Sequence, residues 1–250
     1  RMAAGKAVRR EPPAVRTDVK FSTGDSLAHR SVLQIGTPCT VLCWLRLKVI
    51  GRRSRYNLRN MSNGTSVLQR AVDACGDLPN GGTVLVPRGM VVLTGSVWLR
   101  SNLTLRVEGT LLGTATGSTA SPASVGDAPM VYTRRNSLMV TAHAGLLNGG
   151  RCKRMKQRPL GGDDCADWTK LSNVVIEGAG TGTLDGNGDD WYKVFAKIFP
   201  ERKNLRPVLL DLLWIDGLTI RDLRITRPGY WTVKPTFCSN VVVENNTIDT

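Results

Sequence analysis

Paired acidic side chains are the residues of this chain whose possible chemistry is easiest to see in the sequence. Two adjacent pairs occur, Asp163-Asp164 and Asp189-Asp190. Two carboxyl groups can act as general acid and general base when their surroundings keep one protonated and the other ionised. The first pair lies in a polar loop beside Cys165, and the second lies in a turn before a helix N-terminus, where acids are favoured. We therefore interpret both pairs as structural and assign no catalytic residue in the chain.

The six cysteines and two histidines do not form a recognisable metal site. The cysteines lack Cys-x-x-Cys spacing, and His29 and His143 are isolated, so we expect neither a bound metal nor a cofactor. Cys152 and Cys165 flank a polar loop and could form a disulfide in an oxidising compartment. Buried or free thiols are the alternative, and the sequence leaves both open.

The net charge of +14 is concentrated at the N-terminus. Residues 1–60 carry 13 Lys or Arg and three acids, whereas residues 61–250 carry 21 and 17. A basic tail could contact nucleic acid, an acidic membrane or a polyanion. We instead predict that residues 1–55 are disordered or artefactual. The chain also has no run of 18 apolar residues, so we expect no membrane-spanning helix.

A recurring phrase indicates the elements that must position any functional side chain. A polar pair followed by three strand-forming residues begins at Ser101, Ser172, Asp216 and Ser239, and the last three copies are 44 and 23 residues apart. One repeat of about 22 to 23 residues lies within the range of solenoid proteins. Such short strands are stable when each pairs in parallel with its equivalent one turn away. We expect Val, Ile and Leu to stack inside, and Asn102, Asn173 and Asn240 to stack at equivalent corners.

The flanking segments fit the same architecture. Residues 66–74 place apolar side chains at helical spacing, and we predict a short helix that caps the first repeat. Residues 56–250 would then form one all-β domain. Residues 113–170 break the pattern and include five basic residues between Arg151 and Arg158. We predict that this region forms long loops that project from the solenoid.

Several phrases together resemble a known family. They include Gly81-Gly82-Thr83-Val84-Leu85-Val86-Pro87, Gly182-Thr183-Leu184-Asp185-Gly186-Asn187-Gly188, and Tyr230-Trp231-Thr232-Val233-Lys234-Pro235. In this order, over residues 56–250, they resemble the N-terminal part of the polygalacturonases, glycoside hydrolase family 28. The resemblance implies a right-handed parallel β-helix and inverting hydrolysis of galacturonan.

The active-site motifs of that family do not occur in this chain. The resemblance implies catalytic aspartates in an Asn-Thr-Asp motif and a later Asp-Asp pair, followed by Gly-His-Gly and Arg-Ile-Lys. We expect these motifs beyond Thr250, and we expect residues 1–250 alone to be inactive. Lys234 lies where many relatives have His, so its contact with substrate is open.

Other side chains could still contact a uronan. Trp191 and Trp231 could line a sugar-binding surface, although we favour packing against the wall of the β-helix for both. Basic residues of the 151–158 segment could bind uronate carboxylates, with a solvated loop as the alternative: Arg151, Lys153, Arg154 and Lys156.

The sequence therefore predicts a secreted or cell-wall polygalacturonase-like hydrolase. We expect a monomer whose partner is a polygalacturonate-like polysaccharide, with no nucleic acid or membrane partner. The alternative is a non-catalytic carbohydrate-binding or adhesion β-helix, and a β-helix lyase ranks last because no acidic cluster suggests a calcium site.

Overall fold

Short parallel strands that recur once per turn of the chain build the molecule. The computed structural model describes residues 33–36, 40–44, 62–114, 128–135, 138–157, 163–189, 191–198 and 200–250. Within these ranges the chain makes five coils, and each coil contributes strands to as many as three faces. The first two coils comprise β3 (Gly82–Val86), β4 (Val91–Thr94), β5 (Val97–Trp98), β6 (Leu103–Val107), β7 (Thr110–Gly113) and β10 (Leu147–Asn148).

The remaining coils extend the same three faces. Their strands are β13 (Leu171–Asp185), β14 (Leu210–Leu213), β15 (Ile215–Thr226), β16 (Val233–Thr236), β17 (Ser239–Glu244) and β18 (Thr247–Asp249). On the first face the order is β3-β6-β13-β15-β17, and on the third face it is β5-β10-β14-β16. On the second face β4 and β7 pair with each other, and the C-terminal halves of β13 and β15 lie between β7 and β18. All these pairings are parallel, so the fold is a parallel β-helix, as predicted.

Like side chains stack in the interior because the parallel register is conserved from coil to coil. Leu103 pairs with Val174, which pairs with Leu218. These three side chains are at most 1% exposed. Burying apolar surface contributes about 25 cal/mol per Å². Each coil therefore supplies part of one continuous core.

Asparagines turn the corner before the first face. Asn102, Asn173 and Asn240 have φ of 57°, 55° and 52°, a left-handed conformation that asparagine tolerates better than most residues. Asn173 Nδ2 donates to Asn102 Oδ1 at 3.0 Å, as stacked amides should. The predicted stack is interrupted in the fourth coil, where Gly217 takes the position, and Asn240 Nδ2 donates instead to Asp216 Oδ1 at 2.7 Å.

A helix covers the first coil, as the sequence predicts. Helix α1 (Ser62–Gly76) buries Leu68 and Val72 against the core. Its polar side chains also form hydrogen bonds with backbone groups at the edge of the first coil. Thr65 Oγ1 accepts from Gly95 N–H at 2.7 Å, and Gln69 Oε1 accepts from Trp98 N–H at 2.8 Å while its Nε2 donates to Trp98 O at 3.0 Å. The helix thus satisfies edge groups that would otherwise be unpaired.

The prediction of long loops over residues 113–170 is wrong for the described part of that region. Two antiparallel hairpins are present, with strands β8 (Met130–Arg135), β9 (Leu138–His143), β11 (Cys152–Gln157) and β12 (Asp163–Trp168). Cys152 and Cys165 form a disulfide across the second hairpin. Strands β11 and β12 are largely polar, so the alternation of apolar and polar residues that marks a half-buried strand is weak there.

The N-terminal segment is described only in part. Strand β1 (Leu33–Gly36) pairs antiparallel with β2 (Thr40–Trp44), and β2 pairs in parallel with β3. Both strands lie in the segment for which we predicted disorder. Most of residues 1–55 lie outside the described ranges, so that prediction stays a prediction. No helix in the described ranges has the length and apolar character needed to cross a bilayer.

Between β13 and β14 the chain forms short helical turns. These are a π-helical turn at Trp191–Phe195, the three-residue helix α2 (Ala196–Ile198) and a 3-10 helix at Pro200–Leu205. This insertion brings Tyr192 and Arg206 to the corner between the second and third faces.

Candidate binding groove over the third face

The first hairpin lies across the outer face of the third sheet. That face carries a column of polar side chains in register, in which Asn148 lies opposite Asp211 and Asp211 opposite Lys234. Thr133 on β8 donates its hydroxyl to Asp211 Oδ2 at 2.8 Å. Arg135 Nη1 lies 3.1 Å from the same oxygen. We name Thr133, Arg135, Asp211 and Lys234 the anchoring cluster, because it fastens the hairpin to the sheet.

Lys234 completes the anchoring cluster from the adjacent coil. Its Nζ lies 2.7 Å from Asp211 Oδ1, and it also donates to the Arg134 carbonyl and to Thr133 Oγ1. The side chains of Asp211, Arg135 and Lys234 are 1%, 3% and 9% exposed. Burial, opposed by the charge of Asp211 and reinforced by that of Arg135, lowers the pKa of Lys234 to about 8. Lys234, whose contact with substrate the sequence left open, thus belongs to a buried ion pair.

His143 is the last residue of β9, and its ring packs against Trp191. Its Nδ1 lies 2.8 Å from the Ala128 carbonyl oxygen, and its ring centroid lies 5.0 Å from that of Trp191. Burial, against a smaller opposing effect of the Ala128 hydrogen bond, lowers the pKa of His143. Trp191 is 2% exposed. The preference for packing over sugar binding therefore matches the position of Trp191.

A concave surface, which we name the corner groove, lies where the second face turns into the third. It has a volume of about 660 Å³ and is lined by Asp189, Tyr192, Arg227, Tyr230 and Trp231, among others. Trp231 is 38% exposed, and its ring is stacked on Tyr230 with centroids 5.2 Å apart. Trp231 thus packs on the outside of the β-helix and lines the groove, so its contact with sugar stays a prediction.

Arg206 is a buried cation beside the corner groove, 8% exposed, at a position that the sequence analysis missed. Its guanidinium carbon lies 4.1 Å from the Tyr192 ring centroid and 5.2 Å from that of Tyr230. Arg206 is not among the residues that line the groove, so its cation–π contacts hold the two tyrosine rings in place. The available signal was the adjacent aromatic pair Tyr230-Trp231, which places two flat rings at one corner.

Of the four acidic residues in the two pairs singled out in the sequence, the structure describes the side chain of Asp189. Asp189 lies 3.1 Å from Lys193 Nζ and 3.5 Å from Arg227 Nη1. The hydrogen bond and charge of Lys193, followed by Arg227, lower the pKa of Asp189, so it is ionised at neutral pH. Asp190 lies outside the described residues. Asp163 and Asp164 belong to β12, and their side chains are not among those described.

The basic segment at 151–158 lies on the second hairpin. Lys153 Nζ lies 3.9 Å from Asp167 Oδ2, and the Arg151 guanidinium lies 5.8 Å from the Trp98 ring centroid. Arg154 is exposed, and the side chain of Lys156 is not described. Across the described part of the chain, no three His, Cys, Asp or Glu side chains converge as metal ligands would.

Segments of this chain match curated plant and fungal proteins. A probable polygalacturonase of Vitis vinifera is 31% identical over 80 residues. A probable exopolygalacturonase X of Aspergillus terreus is 37% identical over 62 residues, and an exopolygalacturonase of Cochliobolus carbonum is 36% identical over 76. The segments cover 32%, 25% and 30% of this chain, but only 16%, 14% and 16% of those relatives. No family model matches the chain.

Solved structures share the fold. A hyperthermoactive exopolygalacturonase of Thermotoga maritima superposes with a TM-score of 0.53 at 21% identity, over 74% of this chain and 43% of that one. A family 28 exopolygalacturonase of Yersinia enterocolitica gives 0.52 at 17% identity, over 74% and 35%. This chain resembles the polygalacturonases in sequence and in fold. The predicted resemblance and the predicted parallel β-helix are thereby confirmed.

Proposed function

We propose that this chain belongs to a hydrolase that cleaves the glycosidic bonds of galacturonan with inversion. The main support is that a parallel β-helix coincides with sequence matches to polygalacturonases. The described residues would supply the scaffold and one side of the substrate groove. Aromatic groups that line the corner groove, such as Tyr230 and Trp231, offer flat surfaces for sugar rings.

The catalytic carboxyl groups, in this proposal, are not among residues 1–250. Inverting hydrolysis needs two carboxyl groups roughly 6.5 to 9.5 Å apart, one of them protonated and the other free to activate water. Asp211 is buried between Arg135 and Lys234, and Asp189 is ion-paired and ionised. Neither suits a general acid, because Asp211 is enclosed by two cations and the pKa of Asp189 is held low by Lys193 and Arg227. We therefore expect residues 1–250 alone to bind galacturonan without hydrolysing it.

We further infer that the enzyme acts at chain ends. Hairpin β8–β9 crosses the outer face of the third sheet from one corner, where His143 packs on Trp191, to the other, where Arg134 lies over Phe237. Tyr132 on this hairpin also contacts Trp168 on the second hairpin, with ring centroids 6.2 Å apart. Because the hairpin covers the third face, a polymer cannot lie along the whole of that face. We therefore expect the substrate to approach it by one end.

The test compares two proteins made from the same gene, residues 1–250 and the product of the full open reading frame. We expect the full product to release reducing ends from polygalacturonate as a single small product, and residues 1–250 to release none. Hydrolysis by residues 1–250 would refute the assignment of catalysis to other residues. A broad range of oligomers at early times would refute chain-end cleavage. If both proteins bind polygalacturonate and neither cleaves it, the chain is a carbohydrate-binding β-helix and not part of an enzyme.

Secretion belongs to the same proposal. The Cys152–Cys165 disulfide is typical of proteins that fold in an oxidising compartment. A monomer acting on an extracellular polysaccharide would meet such conditions. Mass spectrometry of the protein purified without reductant from its source tests this, because a free thiol at Cys152 would argue against secretion.

A further inference from the structure

Four aromatic side chains form a continuous strip where the third face turns into the first. Tyr132 lies 6.2 Å from Trp168, Trp168 lies 6.2 Å from Trp214, and Trp214 lies 4.7 Å from Phe237, measured between ring centroids. These rings come from both hairpins and from two successive coils. We name them the aromatic strip. Phe237 remains 46% exposed, so the strip is part of the molecular surface.

The backbone at this corner does not favour aromatic residues. Trp214 and Phe237 both have φ of 55°, a region where bulky L-residues are rare. Three residues further along the same turn, a left-handed conformation is taken by Gly217 and Asn240, residue types that tolerate it better. Strained backbone positions are concentrated at functional sites, where the role of the side chain offsets the energetic cost of the strain. The aromatic side chains therefore point to a function of the rings themselves.

Cationic groups lie on the rings along the strip. Arg134 Cζ lies 5.2 Å from the Phe237 ring centroid, and Lys170 Nζ lies 5.2 Å from that of Trp214. Lys170 is exposed, and no acidic side chain of the described residues lies within ion-pair distance of it. Its charge remains available to an anionic ligand. Apolar ring surface and positive charge thus occur together along the strip.

We propose that the aromatic strip is a second binding surface for a uronic-acid polymer, lying outside the groove over the third face. Each uronate residue offers an apolar C–H surface for an aromatic ring and a carboxylate for Arg134 or Lys170. The strip runs along the axis of the β-helix, so a polymer lying on it contacts successive coils. This inference rests on the proposed function for the identity of the sugar. It concerns a surface that the hydrolysis itself does not require.

The experiment measures binding of a defined galacturonate oligomer to residues 1–250 by calorimetry, with the methyl-esterified oligomer as a neutral probe. We expect roughly five- to tenfold weaker binding for Lys170→Gln and for Phe237→Ala, the loss typical of one cation or one ring. Matched controls are Arg88→Gln and Val91→Ala, exposed residues elsewhere on the β-helix, and these should bind as the unmodified protein does. The esterified oligomer should bind weakly to every variant.

Two results would overturn the proposal. One is unchanged affinity in both Lys170→Gln and Phe237→Ala, and the other is equal affinity for the charged and esterified oligomers. Thermal unfolding of each variant shows whether Phe237→Ala alters the fold, and Lys170→Gln tests the strip without removing a ring. Failure of the proposed hydrolysis gives a different pattern, because strip-dependent binding would persist while the full open reading frame released no product.

Discussion

Lys234 and Asp211 lie directly opposite each other in the parallel register of β16 and β14, with Lys234 Nζ 2.7 Å from Asp211 Oδ1. Arg135 reaches the other carboxylate oxygen from the hairpin above the sheet. One buried carboxylate therefore joins two coils and the hairpin that covers them. Removing it would leave two buried cations without their counter-ion.

Asp211→Asn should destabilise the protein strongly. Breaking a buried ion pair by removing one partner typically costs about 3 to 5 kcal/mol, because the remaining charge is left uncompensated. The control is Asp249→Asn, which removes an exposed pair with Arg224 at 3.0 Å and should cost about 0 to 1 kcal/mol. Urea unfolding measures both free energies. Equal losses for the two variants would show that the anchoring cluster contributes no more than a surface pair.

Lys234 should make stability depend on alkaline pH. Its pKa is lowered from 10.5 to about 8 by burial, so between these values the unfolded chain binds a proton that the folded protein has released. Stability from this group therefore rises as pH increases through that window, by up to about 1.4 kcal/mol per pH unit. The measurement is the difference in unfolding free energy between the wild type and Lys234→Met, which removes other titrations by subtraction. If the unfolding free energy of the wild type does not rise relative to that of Lys234→Met above pH 8, the lowered pKa of Lys234 is contradicted.

Asn173 should tolerate glycine better than alanine. Its φ of 55° suits glycine, whereas alanine in the left-handed region costs about 1 to 2 kcal/mol. Both substitutions remove the hydrogen bond to Asn102, so their difference isolates the backbone cost. We expect Asn173→Gly to be more stable than Asn173→Ala by about 1 kcal/mol in thermal or urea unfolding. The reverse order would mean that the side chain, not the backbone, decides this corner.

Gln69 should stabilise strand β5 against local unfolding. Its amide pairs with both the N–H and the carbonyl of Trp98, so Gln69→Ala leaves two edge groups without their partner. The expected loss is about 1 to 3 kcal/mol, with faster hydrogen exchange at the Trp98 amide. Arg70→Ala, one residue along the same helix on an exposed position, serves as the control. Unchanged exchange at Trp98 in Gln69→Ala would disprove the role.

The first face was predictable because its signal is local and repeated. A polar pair followed by three apolar residues fixes both the corner and the strand, and the register follows when the phrases are aligned. The asparagine corner could be predicted for the same reason. The hairpins could not, because β12 consists mainly of polar residues and its pairing depends on β11 and the disulfide.

The anchoring cluster escaped prediction because its members are far apart in sequence. Thr133 and Lys234 are separated by 101 positions, and no local pattern connects them. One signal was present in the sequence. Asp211 interrupts an apolar run from Val208 to Leu213, and an acid in a buried strand requires a cationic partner. Identifying that partner required the hairpin, whose position no sequence pattern records.

Hairpin β8–β9 does not act as a lid that opens. Moving it away from the third face would remove both Arg135 and the Thr133 hydroxyl from the buried carboxylate of Asp211. The cost of leaving this buried ion pair broken holds the hairpin against the third face. If cleavage proceeds at chain ends, a freed sugar must then leave through the same opening by which the polymer arrived, so entry and exit compete for one passage.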